Sequence, residues 1–326
     1  MRQSIKNGIY PTMIVPYTRD NELDENALRL MVRWYHKKGC HGIFAACQSS
    51  EIFYLSAKER KAMVEIVKDE VSKIGTQSGE EPMTVVASGH ISNSTEAQAE
   101  ELIMMQEAGA DAVVLISNRL DTPNTGDSAW IRDLERLIDR LPDTMRLGIY
   151  ECPSPYKRLL SDKMLEAIAS TGRFYFFKDT CCNPARLKRR LEILRGSNVR
   201  LFNANAQTFL SSLQDGGSGY CGIMANFHPE LYVWLYERYS RDPGAAAELE
   251  NLLSMAAFTE VLAYPVTAKY YLKSFEHIPM ELSSRSCAQP LREYDRFVME
   301  QLHQLKHFCR QVFLDQPNRQ EDSHEK

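Results

Sequence analysis

The chain is predicted to be an α/β protein, a (β/α)8 TIM barrel with a C-terminal helical region, from three observations on its 326 residues. Eight short, apolar, β-rich runs recur over the first two-thirds of the sequence. Segments of helical periodicity separate them. Only helical patterns follow the eighth run.

The runs, in order, are "YPTMIVPY" (10–17), "GIFAACQ" (42–48), "MTVVASG" (83–89), "DAVVLIS" (111–117), "RLGIYEC" (146–152), "FYFFKD" (174–179), "VRLFNAN" (199–205) and "GYCGIMAN" (219–226). The segments between them include "ENALRLMVRWYHKKG" (25–39), "SAKERKAMVEIVKDEV" (56–71) and "STEAQAEELIMMQEAGA" (94–110), each opening on a capping residue or an acidic first turn. Strand alternating with helix is the pattern of a parallel sheet with crossover helices. Eight such units in about 230 residues fit a closed barrel better than an open doubly wound sheet. The loop "GTQSGEEPM" (75–83) reads as a surface excursion before the third strand. The helical stretches 229–240, 243–262, 265–276 and 290–313 form an appendage. The expected organisation is therefore barrel 1–228, helical region 229–315 and a polar, disordered tail 316–326.

Composition narrows the function. The chain is 44% hydrophobic and 25% charged, with a formal net charge of -4, which argues against nucleic acid as a partner. The densest basic stretch, "ARLKRRLEILR" (185–195), has leucines on its other side and reads as a solvated helix face. No apolar run approaches the ~18 residues of a membrane span, and "MRQSIKNGIYPT" lacks the apolar segment of a secretory signal. None of the eight cysteines forms a C-x-x-C pair, and the vicinal Cys181–Cys182 reads as two thiols. Reduced thiols without an export signal point to the cytoplasm. His303 and His307, at i and i+4, have no acidic or cysteine neighbour, so no metal site is expected. Glycine-rich phosphate loops are also absent.

In a barrel, the active site lies at the C-terminal ends of the strands. There the sixth run, within "RFYFFKDT" (173–180), places Lys178 after four aromatic residues. Residues 174, 176 and 178 share one face, so Lys178 points into the lumen. Likewise 148, 150 and 152 share a face, which sets Tyr150 beyond the small Gly148. An amine in apolar surroundings loses its proton more readily and can attack a ketone to form a Schiff base. The imine is an electron sink, and a tyrosine one strand away suits the proton transfers it needs. "QSSE" (48–51) supplies Gln48, Ser49 and Ser50 at a helix start, a cradle for a carboxylate. Each piece also has a plain reading: a strand end in water, a core tyrosine, serines that shape a turn.

The order of these pieces resembles the Schiff-base lyases related to dihydrodipicolinate synthase and N-acetylneuraminate lyase, from "GIYPTMIVPYTRDNELDENAL" to "YPVTAKYYLKS" (264–274). The Y-x-x-P stretch is "YECP", with Tyr150 and Pro153, and the lysine strand is "FFKDT", with Lys178. The carboxylate loop G-[ST]-T-G-E is Cys47, Gln48, Ser49, Ser50 and Glu51. The G-G-x-G stretch is "GGSGYCGIMAN" (216–226), which contains Cys221, counted with the substrate-binding residues. The resemblance implies a class I aldolase-type lyase with no cofactor beyond a covalent lysine imine. It implies a small-molecule 2-oxo acid (pyruvate) and an aldehyde as substrates, and a homo-oligomer, tetramer or dimer.

Departures shift the expected substrate. Cys47 and Ser50 replace both loop glycines, leaving Ser49's hydroxyl and the amide of Ser50 to hold a carboxylate. Pro155 stands where the synthase has an arginine, and Arg119 or Leu120 where it has a tyrosine for the neighbouring subunit. Both changes speak against lysine-pathway synthase activity. "NANAQ" (203–207) lacks the sialic acid lyase's acidic pair. The expected reading is cleavage or condensation of a sugar-acid-like substrate, with Lys178 and Tyr150 catalytic. Glu151, Asn205, Gln207 and Arg119 would read the distal part. Alternatives are dehydration of a deoxy sugar acid through the same imine, or a non-catalytic barrel.

Overall fold

The chain was examined as a computed structural model, which describes residues 5–315. Eight parallel strands follow one another round a barrel: β1 (Gly8–Ile9), β2 (Gly42–Phe44), β3 (Thr84–Ala87), β4 (Ala112–Ile116), β5 (Leu147–Tyr150), β6 (Phe174–Asp179), β7 (Arg200–Asn203) and β8 (Gly219–Tyr220). β1 pairs with β8, and the Thr12↔Phe44 bridge and a Met13 N–H to Phe44 carbonyl bond of 3.0 Å close the circle against β2. Helices α1 (Glu25–Lys37), α2 (Ala57–Ser78), α3 (Thr95–Glu107), α4 (Asp127–Ile138), α5 (Asp162–Ser170), α6 (Pro184–Leu194), α7 (Phe209–Gln214) and α8 (Pro229–Arg238) alternate with the strands. Three longer helical pieces follow, α9 (Pro243–Ala256), α10 (Val266–Phe275) and α11 (Glu293–Cys309). The fold is the (β/α)8 barrel with C-terminal helices that the sequence predicts. No helix among the described residues is long and apolar enough to cross a membrane.

The element bounds differ from the sequence pattern at identifiable places. In the first run Pro11 and Pro16 lack amide hydrogens, so the ladder stops at Ile9 while the chain stays extended and buried. β8 ends at Tyr220, and Gly222 just beyond it leaves room for the Tyr220 ring, since a Cβ there would lie 2.2 Å from the hydroxyl. Helix α2 runs on through Gly75 to Ser78 and ends on Gly79 at φ +71°, so the expected excursion keeps only its last residues. α8, grouped by sequence with the appendage, packs on β1. Residues 316–326, read as a tail, lie outside the described residues.

The lower lumen is filled by aromatic rings. Phe176 stacks on Phe202 (4.7 Å), Tyr10 meets Phe202 edge-on (4.7 Å), and Phe44 abuts Phe176 (5.8 Å), all fully buried. Gly148 makes room for this plug, since a Cβ there would press to 3.1 Å on both Phe176 and Val114. Above it, the chain between α10 and α11 crosses the mouth. Arg285 fastens this strap, reaching Glu59 (2.8 Å) and the Tyr54 carbonyl (3.1 Å) and lying over the Tyr17 ring.

Candidate active site

Strand parity sorts the residues at the top of β5 and β6. Phe176 and Lys178 point inward and Tyr175 outward, where Arg146 covers its ring at 5.3 Å. Lys178 is 5% exposed and lies in register with Tyr150 on β5. Its Nζ stands 4.3 Å from the centroid of the Tyr150 ring and 5.7 Å from that of Phe44. That amine makes no hydrogen bond or ion pair with the described residues, an unusual condition for a buried amine. The plug beneath keeps water from reaching it from below.

Tyr150 is 3% exposed, and burial pushes its phenol well above the ordinary range, so it carries its proton. That hydroxyl donates to Gln48 Oε1 at 3.4 Å, as does the Cys152 thiol (3.4 Å). Ser49 donates to Thr12 Oγ1 (3.1 Å), and Asn226 ties the Thr12 carbonyl (2.9 Å) to the Tyr264 hydroxyl (3.2 Å). Tyr150, Gln48, Ser49 and Tyr264 face a cavity of about 480 Å³ at the C-terminal end of the barrel, with Thr12, Cys152 and Asn226 behind them. Gln48, Ser49, Tyr150, Lys178 and Asn205 all line it.

Other expected site residues lie elsewhere. Glu151 does not face the cavity. Its parity is opposite to Tyr150, and it is fully buried against Arg190 (2.6 Å), accepting also from the amides of Leu160 (2.7 Å) and Thr180 (3.0 Å). Asp179 shares that arginine. Ser50 supports the turn. Its hydroxyl sits 2.5 Å from both the Met13 and Ala45 carbonyls, and its amide, expected to point at a substrate, donates to the Cys47 carbonyl (3.0 Å). Cys221 is buried behind the lining, its thiol pushed up to about 12 chiefly by desolvation. Gln207 is exposed and bonds the Ser254 carbonyl (3.0 Å). Arg119 lies outside the lining, stacked on Phe53 (5.3 Å), which does line it, and bonded to Asn93 (3.2 Å).

The cavity also holds residues that the sequence reading missed. Glu260, Tyr264 and Ser286 come from the C-terminal region, and Lys157 and Cys182 from the loops after β5 and β6. Only the path of the chain brings the first three over the mouth. Lys157 had a weak signal, two residues beyond Pro155. Glu51, below the strap, is ion-paired with Lys269 (3.7 Å) and accepts from Ser284 (2.5 Å) and the Ser286 amide (2.6 Å). Burial pushes its carboxyl up, but Lys269 and the two serines bring it below its usual value. His303 and His307 meet Nε2 to Nε2 at 3.0 Å, and no group of three metal-ligating side chains converges among the described residues.

Against known proteins, residues 6–306 match the model of the dihydrodipicolinate synthetase family. The 4-hydroxy-tetrahydrodipicolinate synthase of Methanopyrus kandleri is 27% identical over 303 residues, 90% of this chain and 96% of that relative. Two solved structures share the fold. A prophage protein of the dihydrodipicolinic acid synthase family from E. coli K12, solved with pyruvate, has a TM-score of 0.79 at 22% identity, covering 92% of this chain and 98% of that one. The sialic acid aldolase of Ruminococcus gnavus has a TM-score of 0.81 at 18% identity, covering 95% and 100%.

Proposed function

Since the chain belongs to the dihydrodipicolinate synthetase family and is a lyase of that type, we propose that it cleaves or condenses a 2-oxo acid through an imine on Lys178, with pyruvate as the shared fragment. One observation carries this reading: an unpaired, buried lysine and a protonated tyrosine lie in register on adjacent strands, inside the cavity at the C-terminal end of the barrel.

The Lys178 amine, once it has given up its proton, attacks C2 of the 2-oxo acid, and water leaves as the imine forms. In cleavage, the hydroxyl on C4 gives up its proton, the C3–C4 electron pair flows into the protonated imine, and an aldehyde departs. The enamine then takes a proton at C3, and water releases pyruvate and the free amine. Tyr150, holding its proton against Gln48 Oε1, stands where that proton is exchanged. The hydroxyls of Ser49 and Tyr264, with Thr12 behind Ser49, form the polar wall suited to the carboxylate. No cofactor enters this scheme, and a homo-oligomer, tetramer or dimer, is part of the same proposal.

Incubation with a panel of 2-oxo-3-deoxy sugar acids tests the reading. A lyase releases pyruvate and an aldehyde in equal amounts, whereas a dehydratase gives one product. Absence of turnover in both directions across the panel would contradict the proposal.

A further inference from the structure

We propose that Glu260 selects the aldehyde half of the substrate, accepting hydrogen bonds from its hydroxyl groups and turning away aldehydes that carry a carboxylate. The inference rests on the lyase reading above and concerns the same cavity.

Glu260 lies in the single-turn 3-10 helix Ala257–Val261, between α9 and α10. In such a turn, residues three apart eclipse one another. Phe258 and Val261 accordingly face solvent together, 64% and 79% exposed, while buried Ala257 and half-buried Glu260 face the barrel. Glu260 thereby becomes part of the cavity lining, with Lys178 as the cation that acts on it. Burial raises its carboxyl above the usual value and Lys178 opposes the rise, as expected of a carboxyl looking into a recess.

The other acidic groups around the mouth already have partners. Glu51 has Lys269 and the strap serines, Glu59 has Arg285, and Glu151 and Asp179 share Arg190. Glu260 has no hydrogen bond or ion pair among the described residues. Lys157, in the same lining, also lacks one, and both charges act on Cys182, a third lining residue. The rim thus offers a separate acceptor and donor not joined to each other. An amine would satisfy Glu260 but not Lys157, and a carboxylate the reverse. A hydroxyl both donates and accepts, so a chain bearing several hydroxyls matches both. The indicated partner is a neutral polyhydroxy aldehyde.

The test uses the full chain and its Glu260→Gln and Glu260→Arg variants. Each is assayed for condensation of pyruvate with neutral polyhydroxy aldehydes of three to six carbons and with succinic semialdehyde, which carries a carboxylate. The pyruvate adduct on Lys178, trapped with borohydride, is measured in parallel. The expected result is a wild-type preference for the neutral aldehydes. In Glu260→Gln their kcat/KM falls about 10- to 100-fold, mainly through KM, the loss of a hydrogen bond to a charged group. In Glu260→Arg the preference shifts toward the anionic aldehyde, with the adduct forming in all three proteins. An unchanged preference in both variants, or a wild type that uses none of the neutral aldehydes, overturns this inference while the imine stands. An adduct lost only in the variants assigns Glu260 to imine formation and overturns the selecting role. Absence of the adduct in the wild type overturns the lyase reading, and this inference with it.

Discussion

Lys178 and Asp179 are neighbours on β6, and their charges meet opposite surroundings. Asp179 faces outward and, with Glu151, encloses Arg190, whose side chain is 1% exposed. Every charge in that cluster has a counter-charge and further hydrogen bonds, among them Arg190 to the Leu160 carbonyl at 2.9 Å. Lys178 faces inward, equally shut off, with two aromatic faces and no carboxylate bonded to it. A buried charge that is fully paired holds the fold together. One left unpaired beside a cavity costs stability, and reactivity is what it offers in return.

The comparison can be broken most sharply by giving the two buried cations, Lys178 and Arg190, the same new side chain. Lys178→Met is expected to abolish turnover while leaving thermal stability equal or raised, since it replaces an unpaired amine with an apolar chain of similar length. Tyr150→Phe keeps the ring beside Lys178 and removes the proton, so turnover falls about 10²- to 10⁴-fold while the imine still forms. Arg190→Met leaves Glu151 and Asp179 buried side by side, a loss of about 3–5 kcal/mol in denaturant unfolding. If Lys178→Met destabilised as much as Arg190→Met, the division between reactive and structural charge would fail.

A third buried charge sharpens the rule at a smaller scale. Glu250 on α9 has no cation, only backbone amides at the start of α7, one of them Leu210 N–H at 3.1 Å. Burial lifts its carboxyl to about 7. The folded-state value exceeds the unfolded one, so its contribution to stability is full below about pH 4.5 and is lost as pH rises through 7. Melting temperature measured from pH 5 to 8 should fall by a few degrees more in the wild type than in Glu250→Gln. Parallel curves would contradict that assignment.

Much of this was legible in the sequence because alternation in a strand is local. Parity alone put Lys178 and Tyr150 in the lumen, and the eight apolar runs marked the barrel. The same parity places Glu151 outside, but its partner Arg190 lies 39 residues away, so the residue read as a substrate contact. Ser50 misled for a similar reason, since one of the carbonyls that hold its hydroxyl, that of Met13, lies 37 residues earlier. Glu260, Tyr264 and Ser286 carry no local signature. Ser286 reaches the mouth because the strap is tied by Arg285 to residues more than 200 positions earlier, and Glu260 and Tyr264 reach it on the connection between α9 and α10. The first strand ended early where Pro11 and Pro16 overrode the apolar pattern.

The most direct test of the central claim is to incubate the protein with pyruvate, reduce with borohydride and map the adduct by peptide mass. The account predicts a pyruvate-sized addition on the peptide carrying Lys178, absent in Lys178→Met. No addition with pyruvate or with longer 2-oxo acids, or an addition at another lysine, would contradict it.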